Sequence, residues 1–243
     1  MGLTLRYRFL EVWFRAMNAY TVNRVVGIEN LPPKGQGYVA AANHRSFADG
    51  LVMPQILVTA RKEAVHMVSY AKIFNVPFIG TILRWAEGLE LDSSSREGIE
   101  AFFSDAKRVL VEKHECVGLH PEAHVQPGKK PTLGKGRTGA AQLAIETGCP
   151  VVPIGLLGTD RIWNQSTWTL SYERRCTDVV IGRPIYFEAY AKAYEKGDDR
   201  ARKEILAGLT TIIMLEIARL TGQRYPFGER ALAGLGKYAD RAA

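Results

Sequence analysis

The sequence predicts an α/β fold: a single domain with a central, largely parallel or mixed sheet flanked by helices, behind an N-terminal amphipathic helix. Short apolar runs typical of buried strands alternate with longer segments that carry apolar residues at helical spacing, which is the pattern of an α/β domain. The 243 residues contain no linker, repeat or low-complexity segment. We therefore expect one domain over residues 23–243 and a helix of its own over residues 1–22.

The first twenty residues predict an amphipathic helix rich in aromatic side chains. Its broad apolar face carries Leu5, Phe9, Leu10, Val12, Trp13, Phe14 and Met17. Its polar side carries Thr4, Arg8, Glu11, Arg15 and Asn18. Two interpretations remain open, because the same pattern is typical of a helix packed on the body of the protein and of a helix lying in a bilayer interface.

The later elements follow from short-range composition. The predicted strands are residues 23–31, 38–42, 65–70, 89–91, 116–119, 150–156 and 179–181. The predicted helices are residues 50–58, 96–112, 139–147 and 199–220. The uncharged segment 73–83 is expected to pack in the core, as is the apolar side of helix 199–220.

Composition excludes several classes of protein. A chain with 47% hydrophobic and 23% charged residues is neither disordered nor collagen-like nor a disulfide scaffold. Its three scattered cysteines predict reduced thiols in a cytosolic compartment. We expect no signal peptide and no membrane-spanning helix. The net charge of +7 indicates an anionic partner, which is nucleic acid, a phosphorylated substrate or a lipid surface.

A histidine and an aspartate follow the predicted strand 38–42. His44 precedes the next helix and Asp49 lies in its first turn, so the carboxylate can accept a hydrogen bond from one imidazole nitrogen and leave the other as a proton acceptor. No G-x-S-x-G motif supplies a nucleophile, which suggests the hydroxyl of a substrate. The alternative is a helix capped by Asn43 or Ser46 beside an incidental histidine.

These residues resemble a known motif. Asn43-His44-x4-Asp49 is similar to the N-H-x4-D motif of the glycerolipid acyltransferase family, which includes the 1-acylglycerol-3-phosphate acyltransferases. Three more landmarks follow in the family's order: residues 75–80 (N-V-P-F-I-G), His120-Pro121-Glu122 at the F-P-E-G motif, and residues 151–154 (V-V-P-I). The resemblance extends over about residues 24–160.

The resemblance implies an O-acyltransferase of phospholipid metabolism at the cytoplasmic face of a membrane, bound peripherally or monotopically. His44 and Asp49 are then the catalytic residues, and Asn43, Glu122 and Lys72 bind substrate. The acceptor is a lysophospholipid, by default 1-acylglycerol-3-phosphate. The donor is the thioester of acyl-CoA or acyl carrier protein, with no metal or other cofactor. Glu122 binds the glycerol hydroxyls of the acceptor or orients its own loop.

The motif departs from the family at phosphate-handling positions. F-P-E-G-T-R reads H-P-E-A-H-V over residues 120–125, so the motif arginine is Val125. At the position of a second arginine that is common in the family, this chain has Ser93. The lysine that is usual before the second motif is not in its usual place, and Lys72 lies in that neighbourhood. These losses indicate, as an alternative, a lipid acceptor without a phosphomonoester.

A basic loop offers other phosphate ligands. Residues 123–140 contain Lys129, Lys130, Lys135 and Arg137 and no acid. We expect Lys135 and Arg137 to bind phosphate near the start of helix 139–147, with a solvated loop as the alternative. Residues 134–139 match G-x-G-x-x-G, but no strand precedes them, so no dinucleotide site is predicted. No basic stripe is paired with a nucleic-acid motif, so nucleic acid is not expected.

Two other functional classes remain. His120, Glu122 and His124 alternate and would share one face of an extended segment, which with His44 suggests a metal-dependent hydrolase. The altered third motif suggests a non-catalytic lipid-binding relative, although binding alone does not require His44 and Asp49. Segment 73–83 would line an acyl-chain groove or contact the bilayer if it is not core.

Overall fold

The centre of the molecule is a β-sheet, seen in a computed structural model that describes residues 5–126, 131–164, 169–171 and 173–239. The strands are β1 (Val22–Val26), β2 (Tyr38–Ala42), β3 (Val65–Tyr70), β4 (Leu89–Leu91), β5 (Cys116–Leu119), β6 (Val151–Leu157), β7 (Trp163–Asn164), β8 (Thr169–Leu170) and β9 (Thr177–Ile181). Within the described residues seven of them form one sheet in the order β1-β9-β6-β2-β5-β3-β4, and β7 pairs with β8. Strands β2 to β6 of this sheet run parallel, while β9 runs antiparallel to β6.

Helices cover both faces of the sheet. They are α1 (Leu5–Thr21), α2 (Asp49–Arg61), α3 (Ala71–Phe74), α4 (Ile79–Trp85), α5 (Arg96–Val111), α6 (Gly139–Thr147), α7 (Glu188–Lys196), α8 (Asp199–Thr221) and α9 (Glu229–Leu235). Alternate residues of β2 enter two separate clusters: Val39 packs with α5, α6 and α8, whereas Ala40 packs with α2. This alternation is what a strand covered on both faces requires.

The predicted fold class is confirmed, with differences at several elements. The strand predicted over residues 23–31 ends at Val26, because Gly27 turns the chain with a left-handed φ of 83° into a short 3₁₀ turn. Helices α3, α4, α7 and α9 and the β7–β8 ribbon were not predicted. Helix α7 fully buries none of its residues, and its Tyr190, Ala193 and Tyr194 are partly buried against the core. Helix α8 packs in the core as expected, through Ile205, Leu209 and Ile213.

Helix α1 divides its apolar residues between two environments. Tyr7, Leu10 and Phe14 are buried, and the Tyr7 hydroxyl donates to the carbonyl of Val65 in β3 at 3.1 Å. Leu5, Phe9, Val12 and Trp13 are exposed. The packed-helix interpretation is therefore correct for one side of α1 only. Among the described helices, none combines the length and apolar character needed to cross a membrane. The expected boundary between residues 22 and 23 remains a prediction.

The expectation that segment 73–83 packs in the core is wrong for most of its apolar residues. Phe74 is buried, but Val76, Phe78 and Ile79 are exposed, and Phe78 is 85% exposed at the start of α4. Phe78 also has a φ of 63°, which a residue with a side chain rarely adopts. A run of apolar residues does not by itself show whether the segment is buried by the rest of the molecule. Most of this segment is not buried.

The sheet brings three chain segments to one edge. Strands β2, β5 and β3 are parallel neighbours, so their carboxyl ends lie side by side. Residues that follow these ends are His44, His120 and Ala71. In open parallel sheets ligands bind at this edge, which makes it the candidate site.

Candidate active site

The turn between β2 and α2 is closed by one carboxylate. Asp49 is the first residue of α2, and its Oδ2 accepts a hydrogen bond from Nδ1 of His44 at 3.0 Å. The same oxygen accepts the backbone N–H groups of Arg45 at 2.6 Å and Ser46 at 2.8 Å. The predicted contact between His44 and Asp49 is therefore present, and the five-residue spacing is what folds the turn back onto the carboxylate.

The charge of Asp49 fixes the tautomer of His44. Burial of Asp49, which is 0% exposed, raises its pKa, but the hydrogen bond and charge of His44 outweigh burial and hold the pKa below its usual 3.8. An ionised carboxylate accepts the Nδ1–H of His44, so Nε2 is left as the proton acceptor. The His44 side chain is 16% exposed, which leaves the ring within reach of a substrate.

A second carboxylate holds the backbone around His44. Glu122 accepts the backbone N–H of His44 at 2.9 Å and the backbone N–H of Gly134 at 2.5 Å, one on each oxygen. Gln126 donates its backbone N–H to the carbonyl of His44 at 2.8 Å. Burial raises the pKa of Glu122 against the lowering effect of these amides. Glu122 thus holds the turn at His44 against the loop after β5. Orientation of this loop is one of the two roles predicted for Glu122.

His120 lies against the base. Its ring is stacked on the His44 ring, with centroids 4.1 Å apart and planes inclined by 9°. Its Nδ1 lies 3.0 Å from the carbonyl oxygen of Asn43 and 3.2 Å from that of Ala42. Burial and the neighbouring His44 lower the pKa of His120 to about 4. Sequence reasoning placed His120 in the third family landmark and in the metal alternative. It predicted no contact with His44, since nothing in the spacing of residues 44 and 120 reveals the stack.

A family model described as Acyltransferase matches residues 22–157, more than half of the chain. The chain belongs to the acyltransferase family. The resemblance drawn from Asn43-His44-x4-Asp49 is thereby confirmed at the level of the family. The matched range contains β1 to β6 and with them the complete turn and both loops described above.

Curated relatives match about two thirds of this acyltransferase-family chain. It is 30% identical over 165 residues to a chloroplastic 1-acyl-sn-glycerol-3-phosphate acyltransferase of Brassica napus, covering 67% of this chain and 44% of the relative. A chloroplastic enzyme of the same name from Arabidopsis thaliana is 30% identical over 171 residues, covering 69% of this chain and 44% of that one. The chain therefore spans less than half the length of these relatives.

A solved structure shares the fold. The 1-acyl-sn-glycerophosphate acyltransferase PlsC from Thermotoga maritima superposes with a TM-score of 0.60 at 17% sequence identity. The match covers 88% of this chain and 78% of that one. At this identity the likeness supports the fold of the acyltransferase-family chain and carries no argument about its substrate.

The side chain of Asn43 does not face the site, where contact with a substrate was predicted. Its side chain is buried, its carboxamide nitrogen donates to the carbonyl of Leu156 at 2.8 Å, and its oxygen accepts the N–H of Leu156 at 2.7 Å. This reciprocal pair joins the end of β2 to β6. In the acyltransferase-family chain Asn43 therefore sets the position of the residue after it, His44, and exposes no polar atom to a ligand.

The predicted cationic ligands are exposed around the site. Lys72 lies 6.0 Å above the ring of Tyr70, whose ring in turn stacks on His124 at 6.0 Å. Lys135 and Arg137 are exposed on the loop before α6. Within the described chain no hydrogen bond or ion pair joins the side chains of Lys72, Lys135 or Arg137 to His44 or Asp49. Lys129 and Lys130 lie outside the described residues.

The loop with Lys135 and Arg137 is nevertheless held against the site. The Arg137 backbone N–H donates to the carbonyl of Pro121 at 2.7 Å, which complements the Gly134 bond to Glu122. A Cβ on Gly134 would lie 2.9 Å from Glu122 Oε2, so a larger residue here would displace the end of the Glu122 side chain. Arg45, which sequence reasoning missed, reaches the carbonyl of Gln126 with Nη1 at 3.4 Å. Its only sequence signal is its position directly after His44.

The ligand set proposed for a metal ion does not form. Across the part of the chain that the structure describes, no three His, Cys, Asp or Glu side chains are arranged to hold a metal ion. Nδ1 of His44 is bound to Asp49 and Nδ1 of His120 faces two carbonyls, while His124 stacks on Tyr70. His44 and His120 therefore stack on each other, and His124 makes a separate contact with Tyr70.

Proposed function

We propose that this chain transfers an acyl group from a thioester donor, acyl-CoA or acyl carrier protein, to the hydroxyl of a lysophospholipid at a membrane surface. The observation that carries the proposal is the His44–Asp49 pair, in which a buried, ionised carboxylate at the carboxyl edge of the sheet fixes Nδ1 and leaves Nε2 as a base. Membership of the acyltransferase family supports the same chemistry.

The proposed reaction uses the substrate's oxygen as nucleophile. Nε2 of His44 takes the proton of the acceptor hydroxyl as the oxygen attacks the thioester carbonyl. A C–O bond forms, the C–S bond breaks, and the proton passes from His44 to the departing thiolate. Asp49 stabilises the imidazolium that exists between these steps. The chemistry needs no acyl-enzyme intermediate, and base catalysis of this kind contributes about 10²–10⁴ in rate.

The default acceptor is 1-acylglycerol-3-phosphate, which the names of the plant relatives support. In this proposal Lys72, Lys135 and Arg137 supply the cationic contacts to phosphate on the acceptor or donor. The alternative acceptor is a lipid without a phosphomonoester. It is favoured by Val125 and Ser93, which replace the family's arginines.

Membrane contact is proposed for an apolar face formed by two neighbouring segments. Its residues are Leu5, Phe9, Val12 and Trp13 of α1, together with Val76, Phe78 and Ile79 beside α4. Helices α1 and α4 are in contact, and we propose that these exposed side chains face the membrane together. An exposed apolar surface on a chain with a net charge of +7 fits the cytoplasmic, anionic leaflet of a membrane.

The acceptor is tested with a panel. Wild-type and His44→Ala protein are incubated with one labelled acyl-CoA, or the same acyl chain on acyl carrier protein, and a set of lysolipids and hydroxylated lipids. We expect labelled product only with the wild type. Exclusive use of 1-acylglycerol-3-phosphate would contradict the alternative acceptor. Liposome binding without transfer to any acceptor would contradict the enzyme and favour a lipid-binding protein.

Membrane contact is tested separately by flotation on anionic vesicles. Phe78→Ser and Trp13→Ser are expected to weaken binding, because each removes apolar area from the lipid-facing surface. Ile99→Ser, an exposed apolar residue on α5, is the matched control and should bind like the wild type. Equal weakening by all three variants would contradict the assignment of this face.

A further inference from the structure

His120 contacts the proposed base in two ways at once. Its ring covers one face of the His44 ring at 4.1 Å, nearly parallel to it. Its Nδ1 faces the carbonyl oxygens of Asn43 and Ala42, the two residues directly before His44. One side chain therefore touches both the imidazole and the backbone that presents it.

The hydrogen-bonding pattern requires neutral His120. Both partners of Nδ1 are carbonyl oxygens, so Nδ1 carries the proton and donates. Nε2 is buried and has no hydrogen-bond partner among the described residues. A second proton there would create a buried, unpaired donor beside His44, and Asp49 is the acid whose charge acts on it. The low pKa of His120 agrees with this state.

The geometry points to His120 as a positioning residue that sets the plane and height of the His44 imidazole, an inference that rests on the proposed function. The stack restrains the tilt of the His44 ring, and the bonds to Ala42 and Asn43 restrain the backbone at the end of β2. The motif that this segment resembles has phenylalanine at position 120. Phenylalanine would keep the stacking surface but would lose the donor to both carbonyls.

Three variants separate the two contacts. His120→Phe keeps an aromatic ring and loses the donor. His120→Asn places a carboxamide N–H near the position of Nδ1 and loses the ring. His120→Ala loses both. We expect kcat to fall about 100-fold in the alanine variant and about tenfold in each of the others, with KM for acceptor and donor within about twofold of wild type, because misorientation of a base slows the chemical step rather than binding.

A spectroscopic signature tests position independently of turnover. The Nδ1–H proton of His44, bound to Asp49, is followed by ¹H NMR and assigned by its loss in His44→Ala. It should broaden in His120→Ala while the melting temperature stays near that of wild type. His114→Asn is the matched control, since His114 is an exposed histidine before β5 with a φ of 56° that asparagine tolerates.

The outcomes are distinct. Wild-type kcat in a folded His120→Ala protein would overturn the inference, as would a loss confined to KM. A fall in melting temperature with the His44 signal intact would also overturn it, because His120 would then act only on stability. If the wild type transfers no acyl group, the proposed function fails, and the NMR signal still decides whether His120 positions His44.

Discussion

The chain contains two histidine–carboxylate pairs on opposite edges of one sheet, and they are built differently. At the carboxyl edge, His44 gives one ring nitrogen to Asp49 at 3.0 Å and keeps a side chain that is 16% exposed. At the amino edge, His66 of β3 is 1% exposed and both of its nitrogens have partners: the carbonyl of Glu87 at 2.7 Å and the carboxylate of Glu115 at 2.8 Å.

The two pairs differ in whether the histidine keeps a ring nitrogen without a hydrogen-bond partner in the folded protein. Among the described residues, Nε2 of His44 has no hydrogen-bond partner and the side chain is partly exposed, so His44 can accept a proton from a ligand. His66 retains no such nitrogen, so its protons are committed to joining β3 to the start of β5 and to the turn after α4. A histidine beside a carboxylate is therefore not by itself a sign of catalysis; a free and accessible second nitrogen is also required.

The largest expected effect that separates the pairs is loss of the base. His44→Ala should lower acyl transfer by about 10³–10⁴ or more, because the hydroxyl then has no proton acceptor. The free energy of unfolding should change little, since the ring is partly exposed. Transfer is measured with a labelled acyl thioester, and unfolding with urea. Near-normal turnover in this variant would contradict the role of His44.

The next effect comes from the carboxylate. Asp49→Asn should lower kcat by about 10²–10³, because the carboxamide oxygen, held by the backbone N–H groups of Arg45 and Ser46, carries no negative charge to stabilise the imidazolium of His44. The matched change at the other edge is Glu115→Gln, which should leave kcat near wild type. Similar kcat values in both variants would remove the distinction between the two pairs.

A smaller effect is expected on stability at the amino edge. His66→Phe keeps the volume of the ring but leaves the Glu87 carbonyl and the Glu115 carboxylate without their donor. The free energy of unfolding should fall by about 2–4 kcal/mol. Activity per folded molecule should remain within about threefold of wild type. An unchanged urea midpoint would show that His66 does not join the strands.

The smallest effect concerns pH. The pKa of His120 is about 4 in the folded chain against an ordinary 6.5, so the unfolded chain binds this proton first as pH falls. Stability should therefore decline as pH drops from 6.5 to about 4, by on the order of 2 kcal/mol, and His120→Phe should reduce the decline. Urea midpoints of both proteins across this range provide the measurement.

The other titratable groups with shifted pKa values at the site do not obscure the effect of His120 on the pH dependence of stability. Asp49 has a pKa below 3.8, so its contribution is lost only at lower pH. Glu122 has a raised pKa and binds its proton earlier when folded, which acts in the opposite direction. Both groups are present in wild type and variant alike. Parallel curves for the two proteins would show that His120 does not cause the decline.

Much of the site was accessible from the sequence because it is local. His44 and Asp49 are five residues apart, and a strand end followed by a helix start brings such residues together without help from the rest of the chain. The hydrogen bond between Glu122 and the backbone of His44 joins positions 78 residues apart, and the hydrogen bonds between Asn43 and Leu156 join positions 113 residues apart. Such contacts depend on strand order, which local periodicity does not specify. Asn43 was therefore predicted as a ligand of substrate, and for Glu122 the roles of ligand and of loop orientation both stayed open.

By itself, the sequence determined the α/β class, the strands of the parallel region and the identity of the pair at the turn, because each depends on apolar periodicity or short spacing. Only the tertiary structure decided which apolar side of α1 is buried, that Phe78 faces outward and that His120 covers His44. Burial and stacking depend on which surfaces meet once the strands are ordered. The sequence specifies which chemical group each residue carries, but the residues that surround it in the folded protein determine whether that group is accessible.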